Sequence, residues 1–228
     1  MIDYGSARRT MVDTQLRTHQ VTDRRILAAF SSIPRETFVP QAMRPLAYME
    51  GQIEVQSSTD GAPARYLLAP ATLARRVQLG EIGASERVLD VGCATGYSAA
   101  ILSRLAGEAI ALEADAALAS AARSNLAALG IENAAVVEGS LAEGAPRHGP
   151  YDVILLNGSV PEPPEALFSR LKEGGRLVGV TARPRPGQVV QGKAFRFVMV
   201  GAEASGLPHF DANAKPLPGF APAPYFAL

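Results

Sequence analysis

The 228-residue chain has no tryptophan, one cysteine and three histidines. A single thiol, Cys93, excludes an intrachain disulfide, and histidines scattered at 19, 148 and 209 give no zinc-ligand spacing, so no metal is expected. Charge of one sign is lacking too: Lys+Arg and Asp+Glu both number 22. Without a basic stripe to neutralise phosphates, nucleic acid is not an expected partner. No apolar run approaches the roughly 18 residues of a membrane span. Charges also interrupt the first twenty residues where a secretory signal would need an unbroken apolar core, so no membrane partner and a cytoplasmic location are expected. Repeats and low-complexity tracts are missing as well, although Pro and Gly thicken after Arg183. What is present is 47% hydrophobic against 19% charged residues, enough for one α/β domain with an extension.

The first forty residues read as helical, with Thr22 as a candidate N-cap, Asp23 in the following first turn and Pro34 as the stop. A strand-like piece at Gln52–Val55 and a polar turn with Asp60, Gly61 and Pro63 read as a mobile connector. Pro70 then suits the first turn of a helix closed by Gly80. From Arg87 the pattern alternates: strand "RVLDV", helix Tyr97–Leu105, strand "AIALE", helix Ala116–Leu129 with Asp115 as N-cap and Gly130 beyond it. "NAAVVE", "YDVILL", helix "PEALFSRLK" and strand "RLVGV" continue the series. Strands apolar on both faces predict a doubly wound, mostly parallel α/β sheet. "AFRFVMV" and the Pro-rich tail, following without helices, predict an antiparallel C-terminal edge. The expected division is a helical cap and connector over 1–79 and a ligand-binding α/β domain over 80–228.

Such sheets bind ligands beyond the carboxyl ends of their strands, which puts "VLDVGCATGYSAA", Val88–Ala100, at the site. Gly92 and Gly96 allow close approach of the backbone. A dinucleotide loop would need a small third residue for tight packing round a pyrophosphate, and that position is Tyr97; Ala94 also replaces the middle glycine. The surviving spacing, Asp90-x-Gly92-x-x-x-Gly96, resembles the first motif of S-adenosylmethionine-dependent methyltransferases. Asp90 would offer negative charge to an ammonium and a sulfonium; a buried structural acid is the plainer alternative. Glu113, at the end of the second strand, is placed to accept both hydroxyls of a ribose. Ser140, where many methyltransferases carry an acid, offers a weaker acceptor to the adenine amino group.

With these motifs together, most of the chain to about Val180 resembles the protein-L-isoaspartate O-methyltransferases. "IPRETFVP" is close to that family's Pro-Arg-x-x-Phe-Val-Pro, "LAYMEG" follows as its Leu-Ala-Tyr does, and "LKEGGRLV" matches its Leu-Lys-x-Gly-Gly-Arg-Leu turn. The resemblance implies a class I, Rossmann-like, seven-stranded-type fold and S-adenosyl-L-methionine as cofactor. It implies contacts from Asp90, Gly92, Cys93, Ala94, Gly96, Tyr97, Glu113, Ala114, Ser140, Leu141 and Asn157. It further implies methyl transfer to the stray carboxylate of isoaspartyl residues in aged protein, so a protein or peptide is the expected partner; the chain's own state, monomer or homodimer, is left open. The family's Gly-x-x-x-Ser-Gln-Pro, aligned on Pro70, falls on a segment where Leu68 replaces the serine and Ala69 the glutamine. A leucine cannot donate a hydrogen bond to a carboxylate; Ser57, Ser58 and Thr59 upstream are the remaining hydroxyls. Two rivals follow from the loss: a cofactor-binding homologue without transfer, acting as sensor or partner protein, and a methyltransferase for a small molecule or another peptide, with Leu67 and Leu68 as an apolar wall. A dehydrogenase stands further off, because of Tyr97.

Among the remaining residues, Cys93 reads as a small buried filler, and His209 with Asp211 as solvated edge residues rather than a base pair. His19 and His148 read as facing water, and Glu162 as serving the helix that starts after Pro163.

Overall fold

The computed structural model describes residues 2–59, 63–182 and 191–220. The expected turn residues Asp60 and Gly61 and the last eight residues of the tail lie outside that set. Helices α1 (Tyr4–Met11) and α2 (Arg24–Ser32) form the cap, joined by a π-helical turn at Val12–Leu16 and followed by short 3₁₀ turns. The N-cap of α2 is Asp23, whose side chain accepts from the Arg25 amide, and not Thr22, whose own amide donates to Gln78. An aspartate carboxylate one residue nearer the helix wins because it is the stronger acceptor for the exposed first-turn amides.

The connector is built: β1 (Ile53–Gln56) pairs antiparallel with β2 (Arg65–Leu67). The strand-like piece read at Gln52–Val55 is thus part of a hairpin whose second strand the sequence did not show; Ile53, Leu67 and Leu68 are buried and anchor it in the core. α3 (Pro70–Leu79) follows with Pro70 in its first turn. The alternation is then β3 (Arg87–Val91), α4 (Tyr97–Leu102), β4 (Glu108–Glu113), α5 (Ala116–Ala128) and β5 (Ala134–Glu138). β6 (Tyr151–Val160), α6 (Glu165–Phe168), β7 (Leu171–Thr181), β8 (Lys193–Val200) and β9 (Glu203–Asp211) complete the chain. α4 stops short of Leu105 and α6 is a single turn. The chain spends Leu171 and Lys172 on β7 instead, since a pairing strand satisfies more backbone groups there than one further helical turn.

The main sheet has the order β5-β4-β3-β6-β7-β8-β9; the pairings from β5 through β7 are parallel, and β8 pairs antiparallel with both β7 and β9, so β8 alone runs against the rest. Chain direction across the sheet reverses between β3 and β6, and that switch point opens a crevice at the strands' carboxyl ends. The period-2 alternation of strands divides the core in two. Val88, Ala109, Ala111, Val153 and Leu155 face the cap, α3, α4 and α5, while Leu89, Ile110, Leu112, Ile154 and Leu156 face the other side. Asp90, Glu113 and Asn157 continue the first set by two residues each, so three polar side chains emerge on one face at the sheet's functional edge.

Candidate cofactor site

The glycine loop joins β3 to α4. Gly92 (φ +77°), Ala94 (φ +50°) and Gly96 (φ +94°) all take the left-handed conformation, which lets the chain turn within five residues from strand to helix. At Gly96 a side chain would stand 3.2 Å from Ala122 of α5, so the helix packs directly on the turn. The cap buttresses the same loop. Tyr97 is buried with its ring edge-on to Phe30 and Phe38, at 6.1 and 5.5 Å between centroids, and the Arg35 guanidinium lies 4.7 Å from its centre. Thr95 Oγ1 donates to the Phe38 carbonyl at 2.6 Å. The large ring that excludes a pyrophosphate loop is thus the cap's anchor.

Asp90 is fully buried. It accepts from Ser98 Oγ at 2.7 Å and from Asn157 Nδ2, and Ser98 in turn accepts from Asn157 at 2.9 Å. Arg76 of α3, also buried, donates to the Leu156 carbonyl and to Asn157 Oδ1 at 3.4 Å. Desolvation raises the Asp90 carboxyl to about 6, outweighing the hydrogen bonds from Ser98 and Asn157 and the nearby Arg76, which pull it down. Burial likewise lowers Arg76 to about 10. Cys93 is buried and its thiol is pushed well up by desolvation, as a filler's would be.

Glu113 sits at the tip of β4, as the sequence places it, and is fully buried. Its carboxylate is gripped by Arg65 of β2, with Nη1 on Oε1 and Nη2 on Oε2 at 2.8 Å. It also accepts the amides of Ala94 (2.8 Å), Ala114 (2.8 Å) and Asp115 (3.2 Å). Ser140 is exposed beyond β5 and lines a cleft of about 380 Å³ with Leu112, Val137 and His148. Leu141 is buried, close beneath Gly92.

A second element closes the crevice. The tail after β9 returns so that Ser159 donates to the Lys215 carbonyl (2.9 Å) and Leu217 to the Ser159 carbonyl (2.9 Å). Leu217 then packs on Gly92 and Gly158, where side-chain carbons would stand 2.6 and 2.5 Å from it. The tail and the hairpin are tied together: the Lys215 amide donates to Gln52, and Gln56 reaches Asp115 at the start of α5. The space left among Tyr66, Leu68, Gly92, Ala94, Tyr97 and Asn157 is about 10 Å³, room for a single water at most.

The structure therefore brings together Asp90, Gly92, Cys93, Ala94, Gly96, Tyr97, Glu113, Ala114, Leu141 and Asn157 round one crevice, with Ser140 on a neighbouring cleft. The residues not foreseen are Arg65, Arg76, Ser98 and Leu217. Only Ser98 had a readable signal, as the second residue of α4, just past Asp90's own glycine turn. Leu68, in place of the family serine, is buried, and its carbonyl accepts from Arg35 Nη2 at 2.8 Å. His209 and Asp211 stand on exposed β9, with Asp211 paired to Lys193. His19 bonds the Gln15 carbonyl at 2.6 Å and lies 3.6 Å from Glu50, so it is held at the surface rather than merely solvated. Among the described residues no cluster of three metal-ligating side chains occurs, and no helix is long and apolar enough to cross a membrane.

The donor set suits an adenosyl sulfonium compound: a carboxylate at the strand tip for a ribose, a left-handed turn without side-chain bulk at Gly92, and a hydroxyl at Ser140. The room for it is taken in this conformation by Arg65 and Leu217.

Comparison with known proteins identifies the family. Residues 7–192 match the family model described as protein-L-isoaspartate(D-aspartate) O-methyltransferase. A protein-L-isoaspartate O-methyltransferase of Koribacter versatilis is 39% identical over 171 residues, covering 75% of this chain and 74% of the relative. One from Rhodopseudomonas palustris is 36% identical over 175 residues, covering 77% and 69%. A solved protein-L-isoaspartate O-methyltransferase superposes with a TM-score of 0.77 at 28% identity, over 93% of this chain and 67% of that one. A Plasmodium falciparum structure, solved with S-adenosyl-L-homocysteine, shares the fold at a TM-score of 0.73 and 16% identity, over 93% of this chain and 98% of that one. The chain belongs to the protein-L-isoaspartate(D-aspartate) O-methyltransferase family.

Proposed function

We propose that the protein is an S-adenosyl-L-methionine-dependent methyltransferase that esterifies the free carboxylate of an isoaspartyl residue in a protein or peptide. The observation that carries this reading is Glu113 at the tip of β4 beside the left-handed Gly92–Gly96 turn, in a chain whose family membership spans residues 7–192. Bound cofactor supplies an electrophilic methyl group on sulfur. Glu113 is assigned the ribose hydroxyls, Ser140 the adenine amino group, and the Gly92 turn the amino-acid end.

Asp90, enclosed by Ser98 and Asn157, is assigned to fixing the loop between β3, α4 and β6. The acceptor is already ionised at neutral pH, so the chain needs no general base; it must exclude water and hold the carboxylate in line with the methyl group. Leu67, Leu68 and Tyr97 supply the dry wall.

The test is incubation of purified protein with radiolabelled S-adenosylmethionine and an isoaspartyl peptide beside its aspartyl twin. Base-labile methyl ester on the isoaspartyl peptide alone is the expected result. A second reading, transfer to another carboxylate acceptor, is favoured by the buried Leu67–Leu68 pair, and label appearing on neither peptide but on a small carboxylic acid would select it.

A further inference from the structure

Glu113 has no acceptor capacity left. A carboxylate offers about four lone-pair sites. Here Oε1 takes Arg65 Nη1 and the amides of Ala114 and Asp115, while Oε2 takes Arg65 Nη2 and the amide of Ala94. The three amides belong to the loop and to the start of α5 and stay where they are. A ribose can reach this carboxylate only when the guanidinium leaves.

Where the guanidinium goes is constrained by its charge. Arginine stays protonated at any ordinary pH, and this side chain is only 7% exposed. Removed from Glu113, it needs another anion. Its Nη2 already stands 3.3 Å from the point where a side chain on Gly92 would begin, so it lies against the turn assigned to the cofactor's amino-acid end. That end carries a carboxylate, and a planar guanidinium fork matches a carboxylate in two parallel hydrogen bonds.

We propose that Arg65 is the anchor for the carboxylate of the ligand's amino-acid moiety, and that Glu113 holds its place in the ligand-free chain. On binding, the guanidinium exchanges Glu113 for the ligand's carboxylate, and Glu113 is released to the ribose. Arg65 keeps an anionic partner throughout, while the released Glu113 is held by the ribose hydroxyls and the amides of Ala94, Ala114 and Asp115. A nucleoside that has the ribose but lacks the carboxylate must break the Arg65–Glu113 pair without replacing it, which makes the crevice selective for the intact amino acid. This inference rests on the cofactor reading above.

Calorimetric titration of the full chain with S-adenosylhomocysteine and with 5′-methylthioadenosine, which ends in a methyl group instead of the amino acid, separates the possibilities. The wild-type protein is expected to prefer S-adenosylhomocysteine at least a hundredfold. In Arg65→Ala, S-adenosylhomocysteine weakens tenfold or more while methylthioadenosine tightens, because Glu113 is already free. Arg65→Lys, which keeps the charge and loses the fork, falls between; should the alanine variant fail a thermal-unfolding check, the reduced preference of the lysine variant carries the test alone. If removing the guanidinium tightens both ligands equally, Arg65 is an obstruction only and the anchor is overturned with the cofactor reading intact. An unchanged preference between the two ligands overturns it as well. Binding of neither ligand by any of the three proteins would sink the cofactor reading and the anchor together.

Discussion

Two buried acids on neighbouring strands bracket the crevice, and they are held by opposite means. Asp90 is held by neutral donors, Ser98 Oγ and Asn157 Nδ2, carried on α4 and β6. Glu113 is held by a guanidinium carried on a two-stranded hairpin that is separate from the main sheet. Neutral donors inside the core satisfy geometry but leave the charge expensive, so Asp90 is pushed to about 6. A bidentate arginine satisfies both geometry and charge, yet it occupies the atoms a ligand would use. The Asp90 end is thus built to stay as it is, and the Glu113 end is built to trade partners.

The sharpest way to break this contrast is Glu113→Ala. It leaves Arg65 buried without its anion and three amides without an acceptor, and losing one member of a buried pair costs about 3–5 kcal/mol. Urea denaturation should show a loss of that order, with part of it recovered when Arg65→Met is added, because the stranded charge then disappears. A loss below about 1 kcal/mol would mean that Arg65 simply swings into water, and the two ends of the crevice would no longer differ in kind.

At the other acid, the prediction concerns pH. The folded-state value of Asp90 lies above its ordinary 3.8, so the fold disfavours its charged form. Its contribution to stability is therefore greatest below the ordinary value and is lost as pH rises towards about 6, the reverse of a salt-bridged carboxylate. Across that window the change amounts to about 3 kcal/mol. Glu81, Glu86 and Asp115 are lowered by hydrogen bonds from Arg196, Arg176 and Gln56 respectively, and they act oppositely, losing stability in acid. The whole-protein curve mixes both signs, so the difference from Asp90→Asn isolates one of them. That variant should gain on the wild type between pH 4 and pH 7 and keep a constant gap above it. A gap that does not change with pH would show that Asp90 ionises without penalty.

The contrast also explains what could be read beforehand. The apolar runs "RVLDV" and "AIALE" put Asp90 and Glu113 at the ends of the first two strands, and Gly92 and Gly96 marked the turn, because apolar runs and left-handed backbone are local properties of sequence. The cap's helices were legible from Asp23, Pro34 and the apolar spacing before it, but the packing of Phe30 and Phe38 on Tyr97 was not. Arg65 and Leu217 were not legible. Each reaches the crevice through a contact between residues far apart in the chain, and nothing near either residue distinguishes it from a solvated cation or a loop leucine. β2 was not legible for the same reason, since Leu67 is anchored through partners elsewhere in the chain. Composition told what could be buried and stayed silent on which segment would close the crevice.

A smaller effect sharpens the comparison at the turn itself. Gly92→Ala places a methyl group at φ +77°, a conformation that costs an L-residue about 1–2 kcal/mol, and 2.6 Å from Leu217 Cδ2. The expected loss in urea denaturation is of that size. Amide exchange at Leu217 should accelerate with it, since the tail has to give way before the loop does.

The least costly change is at the tail. Leu217 is buried against Gly92 and Gly158, yet its segment is held mainly by two backbone hydrogen bonds to Ser159. A core leucine truncated to alanine usually costs about 2–5 kcal/mol, because the cavity persists. Here the segment has an alternative: without its anchor it detaches locally, and the cost is capped by the free energy of that opening. Leu217→Ala should therefore lower global stability by only about 1 kcal/mol while removing one of the two groups that fill the crevice. Affinity for S-adenosylhomocysteine should rise several-fold in the same calorimetric titration. Arg65→Ala is predicted to lose affinity, so the two substitutions, both of which empty the crevice, should move it in opposite directions. If they move it the same way, charge at Arg65 is irrelevant and the crevice is governed by bulk alone.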